Sequence, residues 1–146
     1  MSLASSMLAF EGGQVYITGG RGPVGPTGPA GSSYVYRVCG EDIIVNRLVY
    51  IDNGLVYHSD KDTYSKAESI FGLAVQSVSS GGSIQILTFG ERIDGSFGYP
   101  NNGALFLGSN GQLTTTPPTS GTLVHVGAIT SPTSIIINIQ EPLILA

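Results

Sequence analysis

Charge is the scarcest resource of this chain. Only 11 % of its 146 residues are charged, against roughly 25 % in an average globular domain. Six Lys and Arg face ten Asp and Glu, for a net charge of −4, and the six basic residues are scattered. Binding a phosphate backbone or an anionic membrane surface needs clustered cations, so neither nucleic acid nor membrane is expected as a partner. Cysteine occurs once, at Cys39, which excludes an intrachain disulfide. With His58 and His125 far from it in sequence there is no zinc-ligand spacing either. Cys39 reads as a small buried hydrophobe, although crosslinking between chains stays open. Long apolar runs are missing too. Met1–Phe10 is apolar but broken by serines and lacks the basic lead of a secretory signal. Ile135–Ala146 is too short to span a bilayer and carries Glu141 and Pro142. A chain made in the cytoplasm, without a membrane anchor, is expected.

What is abundant is glycine, 21 residues, within a chain that is 41 % hydrophobic and rich in Ser, Thr, Val and Ile. That balance points to an all-β protein with many turns. The glycines are not evenly spread. Gly19, Gly22, Gly25, Gly28 and Gly31 fall at every third position, and Pro23, Pro26 and Pro29 follow three of them in one phase. Only glycine fits the crowded axis of a collagen triple helix, and proline pre-sets the extended conformation of each strand. The alternative is a flexible Gly/Pro-rich linker. As a triple helix, residues 19–31 form a rod of roughly 40 Å and make the protein a parallel homotrimer. So few triplets cannot hold three chains alone, which puts the trimerising work on the rest of the chain.

Three regions follow. Residues 1–18 combine an apolar start with a short alternating piece, Gln14–Thr18. Leu3, Met7, Leu8 and Phe10 are its docking candidates, against a partner or the trimer mates; a tail folded back on its own head is the alternative. Residues 19–31 are the stalk. Residues 32–146 are a β-rich head, a barrel or a sandwich, opening on the alternating Tyr34–Val38 and a short apolar run, Ile43–Val45.

Within the head, about 47–91 and 104–141 read as two copies of one unit. Leu48–Tyr57 and Leu105–Thr114 each place Asn-Gly between two β runs, a strong hairpin signal because the turn needs positive φ at both central residues. A polar loop comes next, Ser59–Glu68 in one copy and Thr115–Ser120 in the other. A strand with an internal glycine follows, Ile70–Val75 or Val124–Ile129, where the glycine suggests a bulge or a close backbone approach. A last strand ends in acid, at Glu91 or Glu141. Chance similarity of two hairpins is the alternative. Arg92–Gly103 is a Gly/Asn-rich connector, and only Tyr64–Ile70 has any helical period.

No catalytic pattern survives inspection. His58-Ser59-Asp60 has the residue types of a triad, but neighbours on one loop cannot adopt triad geometry, so it reads as polarity at a hairpin edge. Asp60-Lys61-Asp62 lacks the glycine and terminal glutamate of a calcium loop and reads as a solvated turn. Ser79–Ser83 lacks the lysine and helix of a phosphate loop. His125 reads as a half-buried histidine of the core or of a trimer interface. A protein that is not an enzyme, with no cofactor and no metal, is expected. Tyr57, Tyr64, Tyr99, Asn101 and Asn102, assigned to loops, are the candidate contacts for a sugar or a protein.

The arrangement resembles the small trimeric virion fibres and capsid decoration proteins of tailed bacteriophages. The likeness rests on the apolar start, the triplets Gly22–Gly31, and the run Leu113–Gly121 followed by Val124–Ile129. It implies a homotrimeric structural protein on the virion surface, gripping other capsid or tail proteins through its N-terminus with the head outward. On these motifs a head fibre and a short tail or baseplate fibre that binds a host-surface glycan both remain open; the small size favours the former. The resemblance brings no catalytic residues.

Overall fold

Eleven strands, one short α-helix and a 3-10 turn at Ser109–Gly111 are the regular elements of the described part of the chain, residues 31–145 of a computed structural model. The docking candidates Leu3, Met7, Leu8 and Phe10, and the triplets from Gly19 to Pro29, lie outside the described residues. Gly31 is described, and it is a turn with φ +87°, not the φ of about −75° of a triple-helical strand, so the stalk does not extend to it. The strands are β1 (Ser33–Cys39), β2 (Leu48–Asp52), β3 (Leu55–His58), β4 (Ile70–Ala74), β5 (Ser83–Ile93) and β6 (Gly103–Leu107). They continue with β7 (Leu113–Thr114), β8 (Thr122–Leu123), β9 (His125–Ser131), β10 (Ser134–Ile137) and β11 (Leu143–Ile144). The helix α1, Tyr64–Glu68, falls where the sequence has its one helical period. The head is all-β.

Five strands close on themselves. β1 pairs with β3, β3 with β2, β2 with β4, β4 with β5, and β5 returns to β1. The β1–β3 pair is parallel and the other four are antiparallel. β5 has 11 residues and serves two structures: residues 83–89 pair with β1, and Gly90–Ile93 pair with β10. From β10 the sheet runs on through β9 and β6 to β7. β8 and β11 form a separate two-stranded ribbon.

The strand order β3-β2-β4-β5 on one side of the β5–β10 seam is thus matched by β7-β6-β9-β10 on the other. Both Asn-Gly pairs turn with positive φ, at Asn53 and Gly54 and again at Asn110 and Gly111. Gly72 lies opposite Val49 and Gly127 opposite Leu105, each beside a break in register. A side chain at Gly72 would run into the carbonyl oxygen of Leu87, and one at Gly127 into that of Ile136. Only glycine allows these backbones to come so close. Two features differ between the sides. Nothing in the second corresponds to β1, and its last strand stops at Ile137 rather than running on to Glu141.

Two cores result from the two-residue period of the strands. Leu48 and Val49, Leu73 and Ala74, and Leu87 and Ile86 are fully buried neighbours that point to opposite sides. Val49, Ala74 and Ile86 join Cys39, Ile43, Val56 and Ile84 inside the barrel. Leu48, Leu73 and Leu87 join Leu105, Leu107, Val124, Val126, Ile129, Ile135 and Ile137 between the barrel wall and the second sheet. The architecture is therefore a small barrel with a second sheet packed on its outside. Each fully buried Leu or Ile contributes about 1.5–3 kcal/mol, so the shared wall β2-β4-β5 anchors both cores. The run Ile43–Val45 is not a strand: Ile43 makes one isolated bridge to Val78 and is buried, while Ile44 is exposed.

Candidate functional site

His58 and Ser59 are not edge polarity, as the sequence suggests, but buried polar groups. On β3, Val56 and His58 are two residues apart and share a side, and Val56 belongs to the barrel core. The imidazole is held at both nitrogens. Its Nδ1 lies 3.2 Å from Glu41 Oε2, and its Nε2 accepts the Ile44 N–H at 3.1 Å. The same Glu41 oxygen accepts the His58 backbone N–H at 2.8 Å. An Nε2 that accepts carries no proton, so the ring is neutral with its proton on Nδ1. Burial pushes the His58 pKa below its ordinary 6.5, against the opposing pull of Glu41. Ser59 Oγ donates to the Lys66 carbonyl at 2.7 Å, away from His58, so no nucleophile–base pair forms. These residues tie the loop 40–45 and the start of α1 to the barrel.

Asp60–Asp62 is more than a solvated turn. Asp62 N–H donates to Asp60 Oδ1, and Lys61 Nζ donates to Asp62 Oδ1 at 2.8 Å. The Lys61 backbone meanwhile bridges to the second half: its N–H donates to the Gly108 carbonyl, and its carbonyl accepts the Thr122 N–H at 2.8 Å. Beside it, Lys61, Ser109, Gln112 and the loop Thr116–Ser120 line an open groove of about 390 Å³.

The residues assigned to surface loops do not converge. Tyr57 sits in strand β3, half-buried, its ring 5.7 Å from Tyr50 and over Gly40. The strand placement corrects the loop assignment; the Asn-Gly turn at 53–54 ends early enough for Tyr57 to pair with Tyr50 across the ladder. Tyr99 is in a connector but is half-buried against the second core, its ring 5.2 Å from Phe97; burial raises its pKa. Asn101 and Asn102 are exposed in the turn that precedes β6. Tyr64 is the exposed first residue of α1 and, with Glu68, Gln140, Glu141 and Pro142, lines a groove of about 470 Å³. Glu68, and to a lesser degree Glu141, raises its pKa. His125 is half-buried, its ring 5.4 Å from Phe106 and its Nε2 2.9 Å from the Gly127 carbonyl.

One surface was not singled out by sequence. Tyr34, Tyr36 and Val38 are 41, 62 and 45 % exposed on β1. They oppose Leu87, Gln85 and Ser83 of β5, so they stand on the outer face of the barrel wall. Phe89, opposite Ser33 at the start of the same pair, is 45 % exposed. The signal was present in Tyr34-Val35-Tyr36-Arg37-Val38: apolar residues occupy both parities of a strand, and alternation alone does not say which face is covered.

Among the described residues no three His, Cys, Asp or Glu side chains gather as metal ligands, and no helix is long and apolar enough to cross a membrane. Cys39 is buried, and burial, reinforced by Asp42, raises its pKa, which disfavours the reactive thiolate. No protein-family model matches the chain, and no curated protein matches it.

Proposed function

We propose that the protein is a structural component of a virion: a homotrimeric fibre or decoration on a phage capsid, with the β head outward to assist host attachment. In this reading residues 1–18 dock on other virion proteins and the triplets that precede Gly31 wind as a triple helix. The observation that carries it is the junction. The in-phase glycines end at Gly31, where the chain turns with φ +87°, and the first strand of an all-β head begins two residues later at Ser33. So short a run of triplets needs a trimerising neighbour, and the head is the domain next to it in sequence. The mechanism is geometric and multivalent: many copies on one particle turn weak individual contacts into firm attachment.

A second reading, a short tail or baseplate fibre whose head binds a host glycan, draws on the Tyr64 groove. There an exposed aromatic ring stands with an amide and two carboxylates, Gln140, Glu68 and Glu141, groups suited to a sugar. Labelling purified phage particles with antibody against the head separates the two. Label distributed over the capsid supports the first reading and label confined to the tail tip the second; particles without label would overturn both.

A further inference from the structure

We infer that the outer face of the β1–β5 pair, made of Tyr34, Tyr36 and Val38 with Ser83 and Gln85, is the surface through which three copies of this head meet. The inference rests on the homotrimer reading above and names the residues that such a trimer would bury.

Three observations carry it. The first is a contrast with its neighbours. On β2, β4 and β5 the adjacent pairs Leu48 and Val49, Leu73 and Ala74, and Leu87 and Ile86 are buried on both faces, one residue of each pair in each core. On β1, Val35 packs toward the barrel core, yet Tyr34, Tyr36 and Val38 on the other face are left bare. The second sheet covers Leu87 but not its cross-strand neighbour Tyr34. A stripe of three large exposed apolar side chains on one strand is unusual for a surface that meets only water.

Position is the second. Residues 1–30 lie outside the described chain and lead into β1, with the last triplet glycine, Gly31, two residues before Ser33. A triple helix formed by the triplets before Gly31 would bring three copies of the strand that follows, β1, into one assembly. β1 is thus the strand of the head nearest the proposed stalk in sequence, and its outer face is uncovered.

The third is charge. Close to a three-fold axis the same residue from each copy meets itself, so any ionised side chain there would face its own charge. Tyr34, Tyr36, Val38, Ser83 and Gln85 are all uncharged. Arg37, the one ion on the strand, has the opposite parity and lies 5.7 Å from the ring centre of Phe71. Tyrosine also suits an interface, offering a broad apolar ring with a polar tip.

The test is disulfide trapping in the full chain. Tyr36→Cys adds a thiol at an exposed position, while the native Cys39 is buried and leaves wild type as the uncrosslinked control. Under mild oxidation Tyr36→Cys is expected to give mostly two-chain species on a non-reducing gel, since one of every three thiols lacks a mate. Asn102→Cys, exposed on the connector before β6, is expected to give none. Tyr36→Glu, which sets three carboxylates against one another, is expected to lower the melting temperature of the trimer and to shift its solution mass toward one copy at concentrations where the wild-type chain stays trimeric. Absence of crosslinks at residue 36 in a chain whose solution mass is that of three copies would overturn this interface but leave the trimer standing. A mass of one copy would overturn both.

Discussion

The two halves of the head share a strand order but not a way of becoming stable. Residues 33–89 close a barrel because β1 bridges β3 and β5; residues 103–145 have no such strand, and their four-strand order stays open. The open half completes its core by lying on the outside of the closed one, so that Leu48, Leu73 and Leu87 belong to the barrel by chain and to the second sheet by packing. One added strand thus separates a unit that encloses its own core from a unit that must borrow a wall. The barrel is expected to stand when the second sheet loosens, but not the reverse.

The glycine pair gives the largest expected effect and tests the likeness of the halves. In both, the third strand approaches the last so closely that a side chain at Gly72 or Gly127 meets backbone rather than a flexible tip. Gly72→Val and Gly127→Val are each expected to cost about 3 kcal/mol or more, the upper end of overpacking penalties, read as loss of soluble folded protein or a large fall in denaturation midpoint. A mild effect at one position alone would break the equivalence.

Neighbouring residues on β5 test the difference between the halves. Ile86→Ala and Leu87→Ala each empty a fully buried site, at about 2–5 kcal/mol. Ile86 lies in the barrel core and Leu87 in the shared one. Hydrogen exchange is expected to show Leu87→Ala loosening residues 103–145 while β1 and β3 stay protected, and Ile86→Ala loosening all of them together. The same pattern for both would mean that the halves are one cooperative unit without hierarchy.

The smallest effect is confined to the barrel side. His58 is neutral and its pKa lies below 6.5 in the fold, so the unfolded chain binds the extra proton first. Stability is expected to be complete above pH 6.5 and to fall as the pH drops through and below that value, with protonation displacing the Ile44 N–H from Nε2. A thermal-melt series from pH 7.5 to 5 would show it, and His58→Gln would flatten that part of the profile. Asp94 behaves alike at lower pH. Its carboxylate is pulled down to about 2, first by the Ser96 N–H and then by the Asn46 amide, so its contribution is lost only in acid.

Much of this was legible in residues. The Asn-Gly pairs announce two turns because few residues tolerate positive φ in succession. The glycines inside β4 and β9 announce a bulge or a close backbone approach, and both are there: a break in register beside each, and a carbonyl oxygen where a side chain would stand. Tyr64–Glu68 forms the one helix where a helical period exists. The closure of the barrel was not legible. It depends on β1 lying parallel to β3, with Val38 beside Leu55, and no local turn chemistry encodes a pairing across that span. The burial of His58 is hidden for a related reason: alternation groups it with Val56 but does not say which face the barrel will enclose. The bare stripe on β1 was hidden in the same way, since a strand with apolar residues on both faces reads as fully covered until its neighbours are in place.

In the function proposed above the chain works as three. Its most direct test is the solution mass of the full 146-residue chain by light scattering at micromolar concentration. A homotrimer weighs three times 15.1 kDa, and that mass is expected. A particle of 15.1 kDa would contradict it, returning the Gly-Pro run to a plain linker and the stripe on β1 to an ordinary exposed surface.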